Sequence, residues 1–148
     1  MTDNFFHGAR TKENTDLQTV INDVDSTVIG LVAVAEDADP ETFPLDTPVL
    51  ITRVISVLGK AGKTGSLYKS LKAISDQVST RVIVVRVAEA KTEEGAQTQS
   101  QLIIGGTKAD GSYTGMFALL TAEQKTGYRP RILGVPMYDT QEVTAQLR

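Results

Sequence analysis

Eight consecutive residues, Val28-Ile29-Gly30-Leu31-Val32-Ala33-Val34-Ala35, carry no polar side chain. A half-exposed strand alternates apolar with polar residues, so an unbroken run of this length calls for a strand covered on both faces. Arg81 to Val87 (Arg-Val-Ile-Val-Val-Arg-Val) makes the same demand. Ile132-Leu133-Gly134-Val135-Pro136 reads as a further apolar strand, and Val49-Leu50-Ile51-Thr52 as a short one.

Helical signals fall between these runs. Arg53 to Leu58 reads as a short helix closed by Gly59. Leu67, Leu71, Ile74 and Val78 recur at helical spacing, with Lys69, Lys72 and Asp76 off the stripe and Ser66 placed to cap it. Tyr113, Met116, Phe117 and Leu120 share one helical face. Asp139 with Glu142 resembles a capping box that opens a last helix, whose stripe begins with Val143 and Leu147. Ala88 to Ser100 is polar and reads as a surface excursion, and Gln101 to Gly106 suits the end of a helix or a strand equally. The order strand, strand, helix, strand, helix, strand, helix predicts an α/β fold, a partly parallel mixed sheet flanked by helices.

The stretch before Ser26 is different. Residues 1–25 are polar, broken only by a few apolar positions such as Leu17, Val20 and Ile21, and read as an extended N-terminal arm or an edge strand. Residues 26–148 then form the α/β domain. The helix opened near Asp139 is cut at Arg148 after about two to three turns with no closing cap, so the sequence is expected to be a fragment of a longer chain.

The totals narrow the function. Hydrophobic residues make up 41%, enough for a real core, but aromatics only 5% and tryptophan none, so Val, Ile, Leu and Ala must build it. With 15 basic against 18 acidic residues there is no general basic surface for nucleic acid or anionic lipid. The absence of cysteine removes disulfides, thiolate metal sites and cysteine nucleophiles. The N-terminus lacks the pattern of a signal peptide, and no apolar run approaches the roughly 20 residues that span a bilayer. A soluble product made in the cytoplasm is expected, without membrane insertion.

Three motifs invite a chemical reading, and each falls short. Gly62-Lys63-Thr64 ends like a phosphate-binding loop, but that loop needs a glycine at position 57, where the chain has Val57; Gly59 is too close to build the same cradle. The run Glu36, Asp37, Asp39 and Glu41 could hold a calcium ion, but it lacks the glycine and distant glutamate of an EF-hand and is interrupted by Pro40; a solvated turn accounts for it better. His7 is the only histidine, so Ser26, Ser56, Ser66 and Ser112 have no other strong general base. Neither a catalytic, a cofactor-binding nor a metal site is expected. Gly30, within a strand and not followed by a dinucleotide fingerprint, reads as a point of close backbone packing.

The remaining features carry a resemblance. Phe6-His7-Gly8, Ser26 to Val32, Phe43 to Thr52, Gly62 to Leu67, Ile74 with Val82 to Val87, Ile103-Ile104-Gly105-Gly106 and Tyr113-Thr114-Gly115, in that order, resemble the contractile tail sheath proteins of P2-like phages, prophages and tailocins, the FI-type family. The resemblance spans essentially the whole chain, and the family's members are much longer. It implies an incomplete sheath domain, no enzyme activity, and a virion subunit assembled in the host cytoplasm. It also implies self-association as hexameric rings in a helical polymer, with the tail tube protein and the baseplate and tail terminator proteins as further partners. Contraction would drive the tube through the host envelope. On this reading Leu17, Val20 and Ile21 anchor an inter-subunit arm that adds a strand to a neighbour's sheet. Two alternatives from other classes are a small nucleotide-binding α/β domain using Lys63 and Thr64, and a monomeric adaptor.

Overall fold

The structure, a computed structural model, describes residues 28–91 and 95–148. The expected arm over residues 1–25, with Leu17, Val20, Ile21 and His7, lies outside the described residues.

Four strands, β1 (Ile29–Val34), β2 (Pro48–Ile51), β3 (Val82–Val87) and β4 (Ile132–Gly134), form one mixed sheet in the order β2-β3-β1-β4. β1 runs parallel to β3, with Ile29 opposite Val82, and parallel to β4, with Ile29 opposite Ile132; β2 is antiparallel to β3. The two unbroken apolar runs are thus the two central strands. Every residue of β3 is buried, and all of β1 after Ile29. Gly30 serves the close packing expected of it: a Cβ there would stand 2.8 Å from Leu133 Cδ2 and 2.9 Å from Pro130 Cβ.

Because side chains alternate across a strand, each face receives its own helical layer. Leu31, Ala33, Val82 and Val84 face α2 (Leu67–Gln77), whose Leu67 and Leu71 are fully buried beside Phe43 and Val54. Val32, Val34, Ile83, Val85 and Val87 face Ile103 of α3 (Gly95–Ile104) and Val143 of α5 (Gln141–Gln146). Met116, Leu119 and Ala122 join the same core from a 3₁₀ segment (Gly115–Thr121) that runs into α4 (Ala122–Thr126). The result is an α/β sandwich with helices on both faces of a partly parallel sheet.

Several local expectations need correction. α1 (Val54–Val57) is not closed at Gly59 but tightens into a 3₁₀ turn, Leu58–Lys60, that passes through it. Val78 lies beyond α2 in extended conformation and is exposed, so the apolar stripe ends at Ile74. Residues 95–100, read as surface excursion, open α3, and Gln99 and Ser100 are buried; Gln99 accepts from the Ala90 N–H and donates to the Ala88 carbonyl, which a polar composition does not reveal. The segment 113–120 buries Met116 and Leu119 but exposes Tyr113 and Leu120: the 3₁₀ helix starts only at Gly115, leaving Tyr113 outside it, and within it Met116 and Leu119 eclipse at i and i+3 while Leu120 falls off that line. Finally, Thr140 and not Asp139 caps α5, accepting from the Val143 N–H at 3.4 Å, so the residue three places on is a valine and there is no capping box.

Candidate assembly surface

The glycine-rich loop before α2 is the first place to look for chemistry, and it is already occupied. Gly62 and Gly65 both take positive φ, which turns successive N–H groups inward. The Asp37 carboxylate, from the exit of β1, fills that concavity. It accepts from the N–H of Lys63 at 2.8 Å, from the N–H of Thr64 at 3.1 Å and from the Thr64 hydroxyl at 2.5 Å. The hydroxyl contact first, then the Lys63 N–H, lowers the Asp37 pKa to about 2. An N–H cradle that would suit a phosphate therefore holds the protein's own anion, and the residues before it are helical turns and not the strand a nucleotide-binding loop requires.

Ser66 belongs to the same junction. Its backbone is helical (φ −99°, ψ −18°), so its hydroxyl does not cap α2 as expected but accepts from the Val34 N–H at 3.1 Å, while its own N–H donates to the Val34 carbonyl. Behind the loop lies Arg86, buried in β3 and 6% exposed. One guanidinium nitrogen donates to the carbonyls of Ala35 and Ala38 at 3.1 and 3.4 Å, and Nε has no partner among the described residues. The isolated charge in an otherwise apolar strand was the sequence signal for this brace; Asp37 gave none, because its partners lie 26 and 27 residues away.

Glu36 and Asp39 of the acidic run are likewise engaged. Glu36 pairs with Lys91 at 2.9 Å, and Asp39 binds the Thr42 hydroxyl at 2.7 Å with Lys60 at 3.8 Å. Among the described residues no group of three or more His, Cys, Asp or Glu is arranged to hold a metal ion, and no helix is long and apolar enough to cross a membrane. Of the candidate serines, Ser26 lies outside the described residues, Ser66 is held by Val34, Ser56 donates to the Arg53 carbonyl, and Ser112 donates to Asp110 Oδ1 two residues away in an exposed turn.

The surface offers something else at the β4 edge of the sheet. β4 is the outermost strand on its side among the described residues, and it is unexpectedly open for an apolar strand: Ile132 is 53% and Leu133 41% exposed. Beside it runs a groove of about 430 Å³ lined by Met116, Phe117, Leu119, Leu120, Pro130 and Leu133. Leu120, at 69% exposure, is turned outward by the 3₁₀ geometry that buries its neighbour. Contiguous apolar surface next to an unpaired strand edge is the signature of an interaction site. Glu123, Arg129 and Gln146 complete the groove's lining.

Comparison with known proteins agrees in kind. Residues 26–87 match the family described as tail sheath protein Gp18 domain III N-terminal region. Over its 148 residues the chain is 92% identical to the major tail sheath protein of Serratia phage KSP20, and over 147 residues 47% identical to the tail sheath protein of Escherichia phage P2. A prophage major tail sheath protein of Pseudomonas aeruginosa (strain UCBPP-PA14) is 32% identical over 143 residues. The chain spans 38%, 37% and 36% of the length of these curated relatives. Across its full length the chain belongs to the family of phage tail sheath proteins.

Proposed function

We propose that the chain is part of the structural subunit of a contractile tail sheath. That subunit polymerises with copies of itself as stacked rings around the tail tube, and contraction drives the tube through the host envelope. The observation that carries this reading is the 92% identity, sustained over all 148 residues, to a major tail sheath protein. The open β4 edge and its apolar groove support it from the structural side, because a subunit that must join others keeps surface of this kind.

The role is mechanical and not enzymatic. The free energy of contraction comes from repacking subunits between two arrangements, with no nucleotide consumed. The tube protein, baseplate proteins and terminator are the further partners, and the product is a virion component assembled in the host cytoplasm. Leu17, Val20 and Ile21 anchor an arm, within residues 1–25, that adds a strand to the sheet of a neighbouring copy; main-chain hydrogen bonds give the affinity and alternate side chains the register.

Negative-stain electron microscopy of the full-length gene product, expressed alone, tests the reading. Regular hollow cylinders or stacked rings are expected, and removal of residues 1–25 abolishes them. A dispersed monomer at high concentration would overturn it.

A further inference from the structure

We infer that the Asp110–Gly111 bond is a site of spontaneous backbone modification, succinimide formation leading to isoaspartate, and that the folded hairpin around it restrains the reaction through Ser112. The inference goes beyond the sheath reading and does not depend on it.

Asp110-Gly111 is the only Asp-Gly pair in the chain, and no Asn-Gly pair occurs. The two residues set the chemistry. The Gly111 nitrogen attacks the side-chain carboxyl carbon of Asp110, a five-membered ring closes, and water leaves. Glycine suits the step because no Cβ hinders the approach. Water then opens the ring at either carbonyl. Opening at the former side-chain carbonyl restores aspartate; opening at the former main-chain carbonyl routes the backbone through the side chain, one methylene longer. No other reactant is consumed and the composition of the chain is unchanged. The protonated carboxyl is the reactive form, since an ionised carboxylate is a poor electrophile.

The local structure opposes both requirements. Thr107 bridges Tyr113, the Lys108 N–H donates to the Ser112 carbonyl at 2.8 Å, and the Gly111 N–H donates to the Lys108 carbonyl at 3.0 Å. Gly111 takes a φ of 81°, whereas neither Ala109 nor Asp110 has a positive φ, the pattern of a type I turn closed by a left-handed glycine. The third residue of such a turn has ψ near about 0°, but ring closure needs the Gly111 nitrogen to eclipse the Asp110 Cβ, a large rotation away. The turn must therefore open first. Ser112 adds the second restraint. Asp110 Oδ1 accepts from the Ser112 N–H at 2.9 Å and from its hydroxyl at 2.6 Å. The hydroxyl first, then the N–H, holds the Asp110 carboxyl below the usual carboxylate range and so keeps it ionised. Residues 107–113 are exposed, so water reaches the bond. Tyr113 stacks on Phe117 in the groove wall, with ring centroids 6.5 Å apart, which places an added methylene close to that surface.

The full-length gene product, kept folded in ¹⁸O-labelled water at mildly acid pH, tests the inference, because every ring opening leaves an ¹⁸O in a carboxyl group at position 110 whichever product forms. Mass spectrometry of the peptide containing residue 110 reads the label, and Asp110→Glu, whose six-membered ring closes far more slowly, gives the background. A synthetic peptide of residues 107–113 supplies the rate of the open chain. The folded protein is expected to label at least about tenfold more slowly than the peptide. Ser112→Ala, at an unchanged melting temperature, is expected to label roughly tenfold faster than wild type, the worth of one hydrogen bond to a charged group. Ser112→Thr, which keeps the hydroxyl, is expected to label at the wild-type rate. An unlabelled peptide would overturn the site itself, and a folded protein as fast as the peptide would overturn the restraint. Ser112→Ala at the wild-type rate, or Ser112→Thr as fast as Ser112→Ala, would overturn the part given to Ser112. Failure of the sheath reading registers separately, as the absence of cylinders by microscopy.

Discussion

The Asp37 carboxylate receives both the backbone N–H and the hydroxyl of Thr64, a residue 27 positions further along the chain. The pair fastens the exit of β1 to the entry of α2. Because the hydrogen bonds hold the folded pKa near 2, below the roughly 3.9 of an unfolded aspartate, their stabilisation is fully present above about pH 4 and is lost as the pH falls through 2. Asp37→Asn lowers the melting temperature at neutral pH, and the gap to wild type closes on acidification. A pH-independent gap in paired thermal melts would contradict the assignment.

The glycines of the same loop are unequal. A Cβ at Gly65 would run into the Val34 carbonyl, which is fixed in the sheet, and φ is +74°. Gly65→Ala is therefore expected to cost about 2–4 kcal/mol, counting both strain and displaced backbone. Among the described residues nothing would lie within 4 Å of a Cβ at Gly59, and alanine there changes stability by less than about 1 kcal/mol. Urea denaturation of the two variants checks the contrast.

Arg86 holds the loop from beneath. Arg86→Ala leaves the Ala35 and Ala38 carbonyls without their donor and opens a void in the sheet, a loss of about 2–4 kcal/mol. A loss under about 1 kcal/mol in the same assay would mean that water replaces the guanidinium at no cost.

Leu71 and Leu120 separate folding from assembly. Leu71→Ala empties a fully buried position and is expected to cost about 2–5 kcal/mol. Leu120→Asp, at a site 69% exposed, leaves the melting temperature within a few degrees of wild type. In the full-length protein it nonetheless reduces cylinder formation, because a charge is buried when another chain covers the groove. Normal cylinders from Leu120→Asp would remove the groove from the interface.

A closed anion cradle has a ligand consequence as well. Millimolar ATP with magnesium is expected to leave the melting temperature of the chain unchanged, because Asp37 already takes the loop N–H groups. A saturable rise would restore the nucleotide reading of Lys63 and Thr64.

The central strands were legible because burial on both faces favours unbroken apolar runs, as in Val28 to Ala35 and, apart from Arg86, in Val82 to Val87. Register within the helical segments was less so. The α-helical face drawn through Tyr113, Met116, Phe117 and Leu120 caught Met116 but took Leu120 in place of Leu119, because the segment from Gly115 is 3₁₀ and its buried line runs from i to i+3. The Asp37 clasp was hidden by the distance between its parts, and the same apolar composition that made Ile132 and Leu133 read as a strand said nothing of which side would be left open. Gln99 and Ser100 show the converse, since polar residues that satisfy one another locally can be buried without an apolar pattern to announce them.

The position of β1 between β3 and β4 also sets a timetable. The ribosome makes β1 first among these strands, yet its two neighbours arrive later, Ile132 roughly a hundred residues after Ile29, and contacts so distant in sequence form slowly. A nascent chain can join β1 to β3 around α2 well before β4 exists. β4, three residues long and paired on one side among the described residues, then closes the sheet last and is the first strand to open. Amide exchange should rank accordingly, slowest along β3 and fastest at Ile132 to Gly134, so that the strand placed for assembly is also the one whose pairing is easiest to exchange.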